Sequence, residues 1–124
     1  MPQHILVVDD NTDNLDLVSK ILRLDGYEVI TAGSGQDALL QVGSLTPDLV
    51  ILDMMMPNMD GMELCRQLRQ LPDCARIPII MLSAFSDPKD TRDAKIAGAN
   101  TLIGKPFDLE ALGKKVRTLL KKQK

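Results

Sequence analysis

Residues 49–61 have the sequence LVILDMMMPNMDG. It opens with the apolar run Leu49–Leu52, in which no polar residue alternates, and the acidic residue Asp53 follows directly. Two runs of the same kind, Ile5–Val8 and Ile79–Leu82, stand before and after it in the chain. Strands covered on both faces have such sequences, and this burial is typical of parallel sheets. The stretch therefore predicts a buried strand of a parallel sheet.

Two weaker apolar runs, Glu28–Thr31 and Thr101–Ile103, include polar residues, as edge strands do. Helical patterns separate the five runs and follow the last one, and residues that cap or end helices mark their limits: Gly26, Ser34 with Asp37, Pro72, Pro88, Gly98 and Asp108. The predicted order is βαβαβαβαβα. Strict alternation with short loops predicts an α/β fold, in which helices cover both faces of a five-stranded parallel sheet.

Size and composition indicate a single domain, residues 1–124. The formal net charge of −2 does not favour direct contact with nucleic acid or with an anionic membrane. No apolar run reaches the ~18 residues of a membrane-spanning helix, and the N-terminus lacks the features of a signal peptide. We therefore expect a cytoplasmic protein without membrane contact. The sequence is compatible with a stand-alone domain and with a piece of a longer protein.

The two cysteines, Cys65 and Cys74, do not form a CxxC pair, and His4 is the single histidine. This combination argues against a zinc site. Cys65 shares a helical face with leucines and is expected in the core. Cys74 lies in a predicted loop, where we expect a reduced thiol on the surface.

Reactive side chains follow four of the five predicted strands. The first strand ends in Asp9 and Asp10, the third in Asp53, the fourth in Ser83 and the fifth in Lys105. Sites of open parallel sheets form beyond the carboxyl ends of the strands, and the strand order 2-1-3-4-5 is common among such sheets. With this order the four strands are neighbours about 4.8 Å apart, so that the five side chains meet.

Three carboxylates at one place repel one another unless a cation joins them. Oxygen ligands with room for water suit Mg²⁺. The Ser83 hydroxyl and the Lys105 ammonium complete a cradle for a phosphoryl group, in which a carboxylate can act as the nucleophile and form an acyl phosphate. Asp9, Asp10 and Asn11 could instead only cap the first helix, since Asp and Asn are favoured there.

Four sequence motifs resemble those of response-regulator receiver domains, in that family's order and spacing. They are VVDDN (7–11), LDMMMPNMDG (52–61), MLSA (81–84) and GKPF (104–107). The resemblance covers essentially the whole chain. It implies a flavodoxin-like three-layer sandwich with the strand order 2-1-3-4-5. It also implies two-component signalling, in which the chain is a phosphoacceptor switch that promotes its own phosphorylation and dephosphorylation.

The resemblance also assigns a role to each site residue. Asp53 takes the phosphoryl group, Asp10, Asp53 and the Met55 carbonyl bind Mg²⁺ directly, and Asp9 acts through water. Ser83 and Lys105 hold phosphate oxygens. The implied partners are a histidine kinase or histidine phosphotransfer protein and a downstream protein target. We expect the phosphohistidine domain to dock beside the site, on an edge made by Asn11, Asn14, Leu15, Val18, Pro106 and Phe107. The alternative is that Leu15 and Val18 lie wholly in the core.

One position departs from the family pattern. Many receivers carry Tyr or Phe three residues before the site lysine, and this chain has Leu102 there, so it lacks the ring of the family's usual switch. The sequence argues against three other functions. A receiver that binds partners without phosphorylation would lack one of the key residues, and none is missing. An aspartyl-phosphate hydrolase would carry a DxD motif at Asp53, and a nucleotide-binding enzyme a glycine-rich phosphate loop; neither is present.

Overall fold

The computed structural model describes residues 2–56, 60–84, 88–105 and 107–121. Within these ranges the strands are β1 (His4–Val8), β2 (Glu28–Ala32), β3 (Leu49–Asp53), β4 (Ile79–Ser83) and β5 (Thr101–Gly104). The helices are α1 (Thr12–Leu24), α2 (Gly35–Ser44), α3 (Gly61–Gln70), α4 (Pro88–Ala97) and α5 (Leu109–Lys121). A short 3₁₀ helix, Pro72–Cys74, lies between α3 and β4.

All strand pairs in the sheet are parallel, and the strand order is β2-β1-β3-β4-β5. The register aligns Val8 with Leu52, Asp53 with Leu82, and Ser83 with Gly104. The carboxyl ends of β1, β3, β4 and β5 therefore lie side by side at one edge. The predicted flavodoxin-like α/β fold and its strand order 2-1-3-4-5 are confirmed.

The sheet separates two apolar cores. Alternate residues of β3 enter opposite cores: Val50 and Leu52 pack with side chains of α2, α3 and α4, whereas Leu49 and Ile51 pack with side chains of α1 and α5. Burial of both faces explains why the central strands carry unbroken apolar runs, since each large apolar side chain removed from water contributes about 1.5–3 kcal/mol. The three layers follow from this alternation.

The capping residues predicted from the sequence begin and end the helices. Ser34 accepts a hydrogen bond from the Asp37 amide, and Asp108 accepts one from the Glu110 amide. Gly98 follows α4 with φ 114°, a conformation that favours glycine. The capping box at α2 differs in one detail, because the Asp37 carboxylate accepts from the Gly33 amide, at 3.4 Å, rather than from the amide of the capping serine.

Cys74 corrects one expectation. Cys65 is in the core as predicted, but Cys74 is buried as well, with 1% of its surface exposed. The 3₁₀ helix turns its side chain inward to join the same core as Leu68. Both thiols are free, and burial raises the pKa of each.

The predicted docking edge is only partly at the surface. Asn11 is exposed and Leu15 is half-buried, but Val18 is 2% exposed and belongs to the core. The helical period explains this, because Val18 lies nearer than Leu15 to the centre of the apolar stripe of α1. Pro106 lies outside the described residues. Among the described helices, none has the length and apolar character that crossing a membrane requires.

Candidate functional site

The sheet brings the predicted site residues to one edge. Asp9 directly follows β1, Asp53 ends β3, Ser83 ends β4, and Lys105 directly follows β5. Main-chain hydrogen bonds extend this order past the strand ends: the Met54 amide donates to the Leu82 carbonyl at 2.8 Å, and the Lys105 amide donates to the Ser83 carbonyl at 2.6 Å. Main-chain hydrogen bonds of the sheet therefore support the site directly.

Three carboxylates form the centre of the site. One oxygen each from Asp9, Asp10 and Asp53 lies within 4.8 Å of the others. Asp9 and Asp53 are 3% and 7% exposed, whereas Asp10 is exposed. Hydration that would otherwise offset the repulsion between the two inner carboxylates is thus largely absent, and a positive charge is needed in its place.

Lys105 supplies one such charge from the end of β5, the edge strand that β4 separates from β3. Its Nζ lies 3.3 Å from Oδ2 of Asp53 and 3.9 Å from Oδ2 of Asp9. One ammonium against three carboxylates leaves the cluster with a net negative charge. This excess, together with an all-oxygen donor set and access from the exposed Asp10 side, fits a hard divalent cation.

The first turn of α1 holds Asp9 in place. Oδ1 of Asp9 accepts a hydrogen bond from the Asn11 amide at 2.9 Å, and Oδ2 accepts one from Nδ2 of Asn14 at 3.4 Å. Burial raises the pKa of Asp9 above its ordinary value, and the negative charge of Asp53 raises it further; the hydrogen bonds and Lys105 act in the opposite direction. Asn11 also caps α1, since its Oδ1 accepts from the Asn14 amide. Helix capping by Asn11 and the place of Asp9 in the carboxylate cluster are therefore compatible.

The segment after Asp53 turns back on the site. Oδ1 of Asp53 accepts from the Met55 amide at 3.3 Å, and the Met54 carbonyl accepts from the Gly61 amide at 2.7 Å. A Cβ added to Gly61 would lie 2.5 Å from the Asp53 carbonyl oxygen, so the start of α3 can approach this close only as glycine. The side chain of Met55 is 60% exposed.

Ser83 is fully buried at the end of β4, between the strands that carry Asp53 and Lys105. All the side chains predicted at the site therefore lie at this edge of the sheet.

Two residues that hold the site together escaped the sequence reasoning. Asn14 was assigned to the docking edge, although the spacing Asn11-x-x-Asn14 hints at its place in the first turn. The sequence shows Gly61 only as the last residue of the motif at 52–61 and does not reveal its close approach to Asp53.

The sequence matches the model of one known protein family. The match is to "Response regulator receiver domain" and covers residues 5–117. The chain belongs to this family. Receiver domains of response regulators act as phosphoacceptor switches in two-component signalling, and this assignment confirms the resemblance that the four motifs indicated.

Characterised relatives and solved structures agree with the receiver assignment. The chain is 41% identical over 122 residues to the response regulator MprA of Mycolicibacterium vanbaalenii. This alignment covers 98% of this chain and 52% of that protein. It is 39% identical over 122 residues to the DNA-binding response regulator MtrA of Mycobacterium tuberculosis, with coverage of 98% and 52%. The receiver thus spans about half the length of these curated relatives.

Solved structures with the same fold include other proteins of two-component and chemotaxis signalling. The chemotaxis protein CheY4 of Vibrio cholerae superposes with a TM-score of 0.92 at 33% identity, over 96% of this chain and 99% of that one. A putative response regulator from Chloroflexus aurantiacus gives 0.93 at 37% identity, over 98% and 99%. Both matches cover the receiver nearly end to end.

Proposed function

We propose that this receiver domain, residues 1–124, accepts a phosphoryl group on Asp53 from a phosphohistidine in a Mg²⁺-dependent reaction, and thereby switches its protein contacts. The observation that carries the proposal is the position of the Asp53 carboxylate. It lies between the Lys105 ammonium, 3.3 Å away, and the carboxylates of Asp9 and Asp10. A phosphoryl group on this carboxylate would have the Lys105 ammonium on one side and, on the other, the cation that the carboxylates would hold.

Asp53 is the best nucleophile of the three carboxylates. Both oxygens of Asp9 accept hydrogen bonds from the first turn of α1, which restrains that side chain. Asp10 is exposed to water at the margin of the cluster. Asp53 is buried at the end of the central strand β3 and is nearer than Asp9 to the Lys105 ammonium, at 3.3 Å against 3.9 Å, so a phosphoryl group that reaches Asp53 meets that cation first.

The reaction is an in-line transfer. An oxygen of Asp53 attacks phosphorus, the P–N bond of phosphohistidine breaks, and its electron pair stays on the imidazole, which takes up a proton. Asp10, Asp53 and the Met55 carbonyl would hold Mg²⁺ directly and Asp9 through water. The bound ion would neutralise negative charge on the carboxylates and on the phosphoryl oxygens.

Lys105 and Ser83 are the proposed ligands of the transferred group. Lys105 pairs with Asp53 before the reaction and can keep that contact with a phosphoryl oxygen afterwards, since its Nζ already faces Oδ2. Ser83 lies one strand further along and would donate its hydroxyl to a second phosphoryl oxygen. Charge-assisted hydrogen bonds of this kind stabilise the phosphorylated state without taking part in bond formation.

The proposed switch acts through α4, the helix that follows β4 and Ser83 in the chain. The apolar face of α4 is thin, because Ala94 and Ala97 are its buried residues and Ile96 is 78% exposed. Weakly packed elements are those that a small change at a site can shift. Leu102 occupies the position of the aromatic switch residue that many receivers carry. It is half-buried and packs against the same core as Ala94, so its contacts there are those of an aliphatic side chain.

The proposed partners are a histidine kinase or a histidine phosphotransfer protein upstream and a protein target downstream. The relatives named as response regulators support this assignment to two-component signalling. The exposed Asn11 and the half-buried Leu15 and Phe107 flank the acidic cluster and suit docking of a helical phosphohistidine domain. We propose that the receiver domain itself contacts neither nucleic acid nor membrane.

The test uses a small phosphodonor, which needs no partner. Phosphoramidate with Mg²⁺ should add one phosphoryl mass to the wild type, and EDTA should prevent it. Asp10→Asn should raise the Mg²⁺ concentration needed for half-maximal labelling, because the site loses a hard anionic ligand. Lys105→Ala should keep Mg²⁺ binding but should lose either the labelling or the change in protein contacts that follows it. Asp13→Asn, a charge change in the first turn of α1, is the matched control. Equal labelling of the wild type with and without Mg²⁺ would contradict the proposal.

A further inference from the structure

The buried carboxylate of Asp9 is held from one side by two residues of α1. The Asn11 main-chain amide donates to Oδ1 at 2.9 Å, and the side chain of Asn14 donates to Oδ2 through Nδ2 at 3.4 Å. A carboxylate only accepts hydrogen bonds, so the amino group of Asn14, and not its carbonyl, must face it. Each oxygen of Asp9 thus has its own donor.

Asn14 is itself fixed by the residue that caps α1. Its main-chain amide donates to Oδ1 of Asn11 at 3.1 Å, and Asn11 in turn donates its own amide to Asp9. The three residues therefore form a closed set of hydrogen bonds between the end of β1 and the start of α1. Asn14 is half-buried, as expected for a side chain directed toward the sheet edge rather than into solvent.

The oxygen that Asn14 contacts is the one that faces the other charges. Oδ2 of Asp9 lies 3.9 Å from Lys105 Nζ, which is also the ammonium nearest to Asp53. Loss of the Asn14 donor would leave this oxygen free to turn toward Lys105 or toward water. We propose that Asn14 is a positioning residue that orients Asp9 for the cation site, an inference that rests on the function proposed above.

Groups that hydrogen-bond to a metal ligand without touching the metal affect the metal affinity, commonly by about 10–100-fold. The Asn14–Asp9 hydrogen bond is long and Asp9 is proposed to act through water. We therefore expect Asn14→Leu to weaken Mg²⁺ binding by about tenfold, the lower end of that range. Leucine keeps the shape of asparagine but has no donor. Thr12→Val, an equally conservative loss of a polar group in the same turn, is the control and should change the affinity less than twofold.

Isothermal titration of the unphosphorylated protein with MgCl₂ measures this affinity without reference to phosphorylation. A double-mutant cycle of Asn14→Leu with Asp9→Ala, read as the free energy of unfolding in EDTA, shows whether the two side chains act on each other. The inference expects a weaker affinity in Asn14→Leu together with non-additive effects in the cycle.

Two results would overturn the inference alone. One is an Asn14→Leu protein that binds Mg²⁺ as tightly as the wild type. The other is a weakened affinity with strictly additive effects in the cycle, because Asn14 would then act by a route that does not pass through Asp9. A wild type that binds no Mg²⁺ would instead overturn the proposed function, and the inference with it.

Discussion

The start of α3 offers a sharp test of how the site is built, through the substitution Gly61→Ala. An added Cβ would lie 2.5 Å from the Asp53 carbonyl oxygen, and 2.8 Å from both Met54 Cα and Leu52 Cδ1. The leucine methyl group can move, but the other two atoms belong to the main chain. The clash can be relieved only if α3 and the segment after Asp53 move apart.

Forced separation of packed backbone costs about 1–3 kcal/mol. It also breaks the hydrogen bond from the Gly61 amide to the Met54 carbonyl, now 2.7 Å long. Against this, alanine is a better helix former than glycine by about 0.5–1 kcal/mol. The lost hydrogen bond, worth about 1 kcal/mol, roughly offsets this gain in helix propensity. We therefore expect Gly61→Ala to lower the free energy of unfolding by about 2 kcal/mol, the middle of the range for the clash. The melting temperature should then fall by roughly 5–10 °C for a chain of this size.

Gly43→Ala provides the matched control, because Gly43 is also helical and a Cβ there would meet nothing within 4 Å. It should be neutral or more stable by up to about 1 kcal/mol. Urea unfolding followed by circular dichroism measures both variants. If Gly61→Ala is as stable as the wild type while Gly43→Ala behaves as expected, the close approach does not constrain the site.

Two further predictions concern charged side chains. Arg69 donates four hydrogen bonds at the end of the sheet opposite the site, to three carbonyls and to Asn100, so Arg69→Met should destabilise the fold by about 3 kcal/mol. Arg66, on the same helix, is exposed, so Arg66→Met should lower the free energy of unfolding in urea by less than about 1 kcal/mol. Equal losses of stability in the two variants would refute the role of Arg69. Because the pKa of Asp9 is raised on folding, the stability it contributes without Mg²⁺ falls as pH rises from its ordinary value of 3.8 through the raised one. Asp9→Asn should remove that decline, and unfolding in EDTA across this pH range would contradict the reasoning if both proteins lose stability in parallel.

The fold followed from the sequence because burial leaves a local signal. Runs such as Leu49–Leu52 have no polar alternation, since β3 is covered on both faces. The strand order left no such signal. Apolar periodicity says that a strand is buried but not which strand lies beside it, and the order came from the common arrangement of such sheets and from the family resemblance. The contact between β1 and β3 is a property of the assembled sheet.

The site was predictable for a similar reason. Parallel strands end at the same edge, so a reactive residue at each strand end implies a cluster, and Asp9, Asp53 and Lys105 meet as expected. The supporting residues were not predictable in the same way. The role of Gly61 depends on a distance between two segments, and that of Asn14 depends on where α1 begins relative to β1. Neither relation is encoded by the residue type alone.

Cys74 illustrates the same limit in the core. A cysteine after proline and aspartate has the local sequence of a surface loop. The 3₁₀ helix Pro72–Cys74 nevertheless turns the thiol under the chain, and the Cys74 carbonyl accepts a hydrogen bond from Arg69 at 2.9 Å. The tertiary contact with α3 therefore decides the burial of a residue whose neighbours in sequence favour exposure.

The central claim, that Asp53 becomes an acyl phosphate, is tested most directly by locating the modified residue. After incubation with phosphoramidate and Mg²⁺, borohydride reduces an aspartyl phosphate to homoserine, which peptide mass spectrometry identifies at its position. We expect homoserine at position 53 alone, and none in Asp53→Asn. Homoserine at Asp9 or Asp10 in the wild type, or reduction at an unchanged level in Asp53→Asn, would contradict it.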